Sequence, residues 1–106
     1  MAHAQAYGDI ATEVIFENDR VRIWKLSLAP GEETAVHRHD LDNVLVMISG
    51  DRIAAVPQPE TAGPYRDYLE ADVVPGLAIY VEKGGVEIAR NVGQERYEEI
   101  IVELKD

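Results

Sequence analysis

Residues that form turns recur along this chain about every ten positions, a spacing that leaves little room for anything longer than a β-strand. They are Asn18-Asp19, Pro30-Gly31, Ser49-Gly50-Asp51, the stretch from Pro57 to Pro64, Pro75-Gly76, Gly84-Gly85 and Val92-Gly93-Gln94. Glycine reaches backbone angles closed to other residues, proline fixes φ, and Asn or Asp bonds its own backbone, so each cluster marks a reversal with a physical cause. Between them lie short runs rich in β-branched and aromatic residues. Thr12 to Glu17 sets Thr12, Val14 and Phe16 against Glu13, Ile15 and Glu17. Asn18-Asp19 then turns the chain into Arg20 to Leu28, where Trp24, Leu26 and Leu28 share one face, and the two runs read as a hairpin. Further strands are expected over Val44 to Ile48, Arg52 to Val56, Tyr65 to Leu69, Leu77 to Val81, Val86 to Asn91 and Glu99 to Leu104. No window of about a dozen residues carries an apolar stripe at helical spacing. Eight or nine short strands are more than one open sheet could cover on both faces, which predicts an all-β sandwich or barrel. The stretch 57–64 reads as a surface loop joining two strands.

At 106 residues the chain is expected to form a single domain over 1–106. A chain of that size buries roughly two-thirds of the surface its unfolded form exposes. Ten Lys and Arg against 20 Asp and Glu give a formal net charge of -10, spread evenly along the chain. Such a surface repels a nucleic-acid backbone or an anionic membrane, so neither is expected as a partner. No apolar run approaches the roughly 20 residues of a membrane-spanning helix. Met1 to Gly8 lacks the basic stretch and apolar core of a secretory signal, and a cytoplasmic location is the expectation. There is no cysteine, which excludes thiol nucleophiles, iron–sulfur clusters and thiolate zinc sites. Any metal would have to take nitrogen and oxygen ligands.

His37 and His39 lie two apart, so if 35–40 is extended both imidazoles leave the same face of one strand. The pair could clamp a metal ion; the alternative is a polar face on which one or both histidines bond a carboxylate such as Asp40 or Asp42. On the pair's spacing alone the second reading is favoured, and the surrounding frame bears on the choice. Gly31, His37, His39, Asn43 and Gly50 are separated by five, one, three and six residues. Gly76, Glu82, Gly84, Glu87 and Asn91 follow with gaps of five, one, two and three.

The first frame resembles the first motif of the cupin superfamily, Gly-x5-His-x-His-x3-4-Glu-x6-Gly, and the second resembles its partner, Gly-x5-Pro-x-Gly-x2-His-x3-Asn. The resemblance spans residues 20–104 and implies a small jelly-roll barrel, the cupin double-stranded β-helix, with the motif side chains pointing inward to a metal. The run from His37 to Val44 and the ending Ile101-Val102-Glu103-Leu104-Lys105 are further similar to small single-domain cupins associated with β-alanine degradation. The family site has three imidazoles and one carboxylate. Here Asn43 stands in place of its glutamate, Glu82 in place of its proline, and Glu87 in place of its third histidine.

The ligand set implied by the resemblance is therefore His37, His39, Glu87 and Asn43, with Asp42 as an alternative to Asn43. Two histidines and one carboxylate with open positions make up the ligand set of non-heme Fe(II) oxygenases and also suit Zn, Mn or Ni. Alternation places Glu87, Ala89 and Asn91 opposite Val86, Ile88 and Arg90. An inward, ionised Glu87 would be costly without a metal or a protonated histidine. The alternative is a metal-free barrel in which Glu87 turns out beside Arg90 or bonds His37 or His39. Met47 and Tyr80 are expected to line the same cavity. Trp24 reads as packing, His3 as a solvated residue near the terminus, and Glu32-Glu33 and Glu98-Glu99 as surface acids.

The expected function is thus a cupin-type barrel with a divalent metal that binds or acts on a small organic molecule, in the manner of a dioxygenase or isomerase. The alternative is a non-catalytic, metal-free ligand-binding module. The resemblance also implies a homodimer, joined through N-terminal strand pairing.

Overall fold

The computed structural model describes residues 7–62 and 66–105. Nine strands follow one another: β1 Glu13–Glu17, β2 Val21–Leu28, β3 His37–Arg38, β4 Asn43–Ser49, β5 Arg52–Pro57, β6 Leu69–Asp72, β7 Ala78–Val81, β8 Val86–Asn91 and β9 Tyr97–Leu104. No helix occurs among the described residues, so none is long and apolar enough to cross a membrane. All pairings between the strands are antiparallel. They build a five-stranded sheet in the order β1-β2-β9-β4-β7 and a four-stranded sheet in the order β3-β8-β5-β6. The result is all-β, as the turn spacing predicts, and takes the jelly-roll form that the resemblance implies.

The hairpin forms where Asn18-Asp19 places it, with the Asn18 side-chain oxygen accepting from the backbone N–H of Arg20 and Val21 at 2.8 and 2.9 Å. On β2 the alternation buries Trp24, Leu26 and Leu28 together, and these join Tyr97 and Ile101 of β9 in the core. β9 pairs with β2 from Val21↔Leu104 to Leu28↔Tyr97 and, along its other edge, with β4. Each of its alternate residues, Tyr97, Glu99, Ile101 and Glu103, is buried.

The four glycines that punctuate the two sequence frames, Gly31, Gly50, Gly76 and Gly84, are the described residues with positive φ. At Gly50 the requirement is double. Its φ is +120°, and a side chain there would meet the Tyr97 Cα and ring at 3.1 Å. The Asp51 carboxylate then accepts from the Gln94 N–H at 3.0 Å, tying this turn to the one that precedes β9.

Two strands differ from expectation. The run expected from Tyr65 forms its strand later, at Leu69–Asp72, because Arg52 on β5 draws Glu70 and Asp72 into ion pairs at 2.8 and 2.6 Å that fix the register. β9 begins at Tyr97, two residues before the expected Glu99. His3, Tyr65 and Pro64 lie outside the described residues.

Candidate metal centre and chamber

The two sheets enclose a chamber of about 340 Å³. Most of its wall is apolar, from residues such as Leu26, Met47, Ile53, Ile79 and Ile101. A volume of that size falls within the range of small-molecule sites.

One polar cluster enters from the smaller sheet. β3 pairs antiparallel with β8 so that His37 lies opposite Glu87. Directly opposed residues project to the same face, and the pairing therefore aims both side chains inward. His39 follows two residues on, and its backbone is clamped to the Gly84-Gly85 turn by His39 N–H to Gly85 C=O at 2.9 Å and Gly84 N–H to His39 C=O at 2.8 Å. The donor atoms of His37, His39 and Glu87 lie within 4.8 Å of one another, the one such group among the described residues. His39 Nε2 and Glu87 Oε1 are 3.6 Å apart, and the imidazole planes stand at 87°. Two donors on a tetrahedral ion at 2.0–2.2 Å are separated by about 3.4 Å, so small side-chain adjustments would seat a cation. The residues present fit a divalent metal.

The protonation states of the histidines suit one as well, while Glu87 must lose a proton to bind it. Burial lowers the pKa of His37 and brings that of His39 down to about 4, with the neighbouring His37 adding to the effect on His39. Burial pushes Glu87 up to about 7. At 3.6 Å His39 and Glu87 are beyond a good hydrogen bond, and desolvation favours the neutral form of each. We therefore describe the pair as two neutral groups with the proton on Glu87. His37 Nδ1 lies 3.0 Å from the Ala35 carbonyl, which assigns its N–H to that bond and leaves Nε2 with a lone pair.

Asn43, buried at the start of β4, places its amide nitrogen 3.5 Å from His39 Nδ1, on the side of the ring away from Glu87. Asp42 points the other way, accepting from the Tyr80 hydroxyl at 2.6 Å and the Lys83 N–H at 2.9 Å, and these bonds lower its pKa. Met47 is buried and lines the chamber. Tyr80 does not. It is 53% exposed and lies with Asp42 and Lys83 in a separate surface cleft. On β7 it is Ile79 and Val81 that face the chamber, and strand alternation sends Tyr80 outward. Arg90 pairs with Glu33 at 2.9 Å outside the barrel, away from Glu87.

A second correction concerns the acid pair on β9. Glu98 is a surface acid, paired with Lys25 at 3.2 Å, but Glu99 is 5% exposed and lines the chamber. The Tyr97 hydroxyl donates to it, and burial pushes its pKa up to about 8. The signal for this was the alternation Tyr97, Glu99, Ile101, Glu103, which sets Glu99 on the apolar face. Asn91, at the end of the second frame, does structural work by donating to the Leu28 and Glu95 carbonyls at 3.0 and 2.8 Å.

The auxin binding protein family model matches residues 3–100. Auxin-binding protein 1 of Arabidopsis thaliana is 24% identical over 93 residues, which are 88% of this chain and 46% of that protein. The chain thus spans about half the length of this curated relative. A cupin domain from Bordetella pertussis Tohama I superposes with a TM-score of 0.74 at 24% identity, covering 98% of this chain and 100% of the other. An RmlC-like cupin family protein from Methanocaldococcus jannaschii, with a double-stranded β-helix fold, gives 0.70 at 17% identity, with 99% and 94% covered. At these identities the structural likeness speaks for the fold.

Proposed function

Because the chain belongs to the auxin binding protein family and folds as a small cupin, we propose that its chamber binds a small organic molecule at a divalent metal held by His37, His39 and Glu87. The convergence of those three donor sets carries the reading. Two imidazoles and one carboxylate leave coordination positions open on Fe, Zn, Mn or Ni. A bound ion of this kind supplies a Lewis acid or an oxygen-binding centre. That chemistry is compatible with a dioxygenase or isomerase, and equally with plain ligand binding.

The chain's own residues do the remaining work. His37 and His39 offer neutral nitrogen, and Glu87 gives up its proton as it takes up charge. We assign Asn43 to holding His39: an amide turned over presents its oxygen to Nδ1–H and frees Nε2 for the ion, a role that fits the 3.5 Å contact better than ligation does. The apolar wall excludes water from the rest of the ligand. The name of the Arabidopsis relative supports a small-molecule ligand.

Elemental analysis of untagged, chelator-free protein tests the metal. We expect a stoichiometric divalent ion in the wild type and its loss in Glu87→Ala and His37→Ala. No ion in the wild type, together with no uptake of Zn, Mn, Fe or Ni on titration, would sink the proposal. The metal-free binding module is the second reading, favoured by the continuous apolar wall; ligand binding that persists in chelator and in both variants would establish it.

The reading also includes a homodimer in the cytoplasm. The β1 edge supports the dimer, since Val14, Ile15 and Phe16 are 44, 50 and 52% exposed on a strand paired along one side only.

A further inference from the structure

Glu99 and Glu103 sit four residues apart on the same inward face of β9, and their surroundings differ. Glu103 is complemented: its Oε1 accepts from Arg22 Nε and Trp24 Nε1, each at 2.6 Å. Glu99 has a neutral phenol, Tyr97, as its hydrogen-bond donor, and the other titratable group that acts on it is a second acid, Glu87. Among the described residues no Lys or Arg is ion-paired with Glu99. Among the described residues, the chamber wall carries one cationic side chain, the exposed Arg66, against the buried carboxyls of Glu87 and Glu99.

A carboxyl placed in an apolar interior without a cation is costly, and replacing it with an apolar residue would ordinarily be neutral or stabilising. Beyond accepting from the Tyr97 hydroxyl, for which a neutral acceptor would serve, packing therefore gives no reason for an acid at this position. The missing partner is a positive hydrogen-bond donor, and Glu99 faces the space from which a ligand would supply one.

We propose that Glu99, oriented by the Tyr97 hydroxyl, is a recognition point for an organic amine, a subsite of the chamber separate from the His37, His39 and Glu87 donors. The ligand class it selects is a small apolar molecule with a terminal ammonium group. The alkyl or aromatic body lies against residues such as Leu26, Met47 and Ile101, and the ammonium hydrogens meet the carboxylate. The subsite does not need the metal, so the proposal stands independently of the one above.

The test is calorimetric titration of chelator-treated protein with three probes of one chain length: n-hexylamine, n-hexanol and n-hexanoate. A charge-assisted hydrogen bond in a buried site should make the amine bind about tenfold more tightly than the alcohol, with the carboxylate weakest. Glu99→Gln and Glu99→Met should bring hexylamine down to the level of hexanol while leaving hexanol binding intact. Glu98→Gln, at the neighbouring surface acid, should keep the preference. Equal affinities for amine and alcohol in the wild type would overturn the proposal, as would no hexylamine binding at millimolar concentration. So would a preference that survives both Glu99 variants or disappears in Glu98→Gln. Loss of hexanol binding in both Glu99 variants would assign the residue to holding the barrel and would likewise overturn it. Metal uptake by the Glu99 variants, read by elemental analysis, is expected to be unchanged and reports on the metal proposal alone.

Discussion

At the scale of single residues, the chamber holds groups whose neutral forms are favoured, and the signs of their shifts fix how stability depends on pH. Glu87 and Glu99 have folded-state pKa values near 7 and 8, above the ordinary 4.5. Their contribution is present below about pH 4.5 and is lost as pH rises through 7 to 8. His37 and His39 are shifted down from 6.5, His39 to about 4, so their contribution is present above about 6.5 and is lost as pH falls. Between pH 4.5 and 6.5 the two pairs oppose each other, and above 6.5 the carboxyls act alone. Metal-free protein should therefore show a falling Tm between pH 6.5 and 8, and Glu99→Gln should flatten that limb; a wild-type Tm that rises over the interval contradicts the assignment. Metal affinity should run the other way, rising with pH through about 7, because the Glu87 proton must leave. Asn43→Ala should weaken metal binding by about tenfold, the usual cost of losing a side chain that orients a ligand.

At the scale of elements, the glycine frames and the His-x-His pair were legible because their chemistry is local. A glycine at positive φ has few substitutes, and two histidines on an extended segment share a face whatever the segment pairs with. Glu87 could be aimed from its own strand, through the company of Ala89 and Asn91. Tyr80 could not, since distance along the chain from a turn says nothing about which face a residue takes, and on β7 the parity runs through Ile79 and Val81. Glu99 was hidden for a different reason. Two adjacent acids look solvated until β9 is known to lie between β2 and β4, a pairing set by residues far away in sequence. Gly50 links this scale to the chamber, because it abuts the residue that orients Glu99. Gly50→Ala should cost about 1–3 kcal/mol through backbone strain and contact with Tyr97, measurable by urea denaturation, whereas Tyr80→Phe, on the outer face, should leave metal content unchanged.

At the scale of the whole molecule, the open β1 edge and the acid surplus make opposing demands on association. The apolar edge favours pairing with a second copy, and a net charge of -10 works against it through long-range repulsion. The dimer should therefore tighten as salt is raised and screening shortens that repulsion. Sedimentation at micromolar concentration should show a dimer in the wild type and a monomer of unchanged Tm in Ile15→Lys; a wild type that remains monomeric at all salt concentrations removes the prediction. The division of the chamber between the sheets has its own mechanical result. The histidines and Glu87 belong to the smaller sheet and its adjoining turn, whereas Glu99 belongs to the middle of the larger one. A molecule that grips both sets of residues acts as a cross-brace. It would slow amide hydrogen exchange in β8 and β9 together, while a metal ion alone would protect β8 and leave the larger sheet free to breathe.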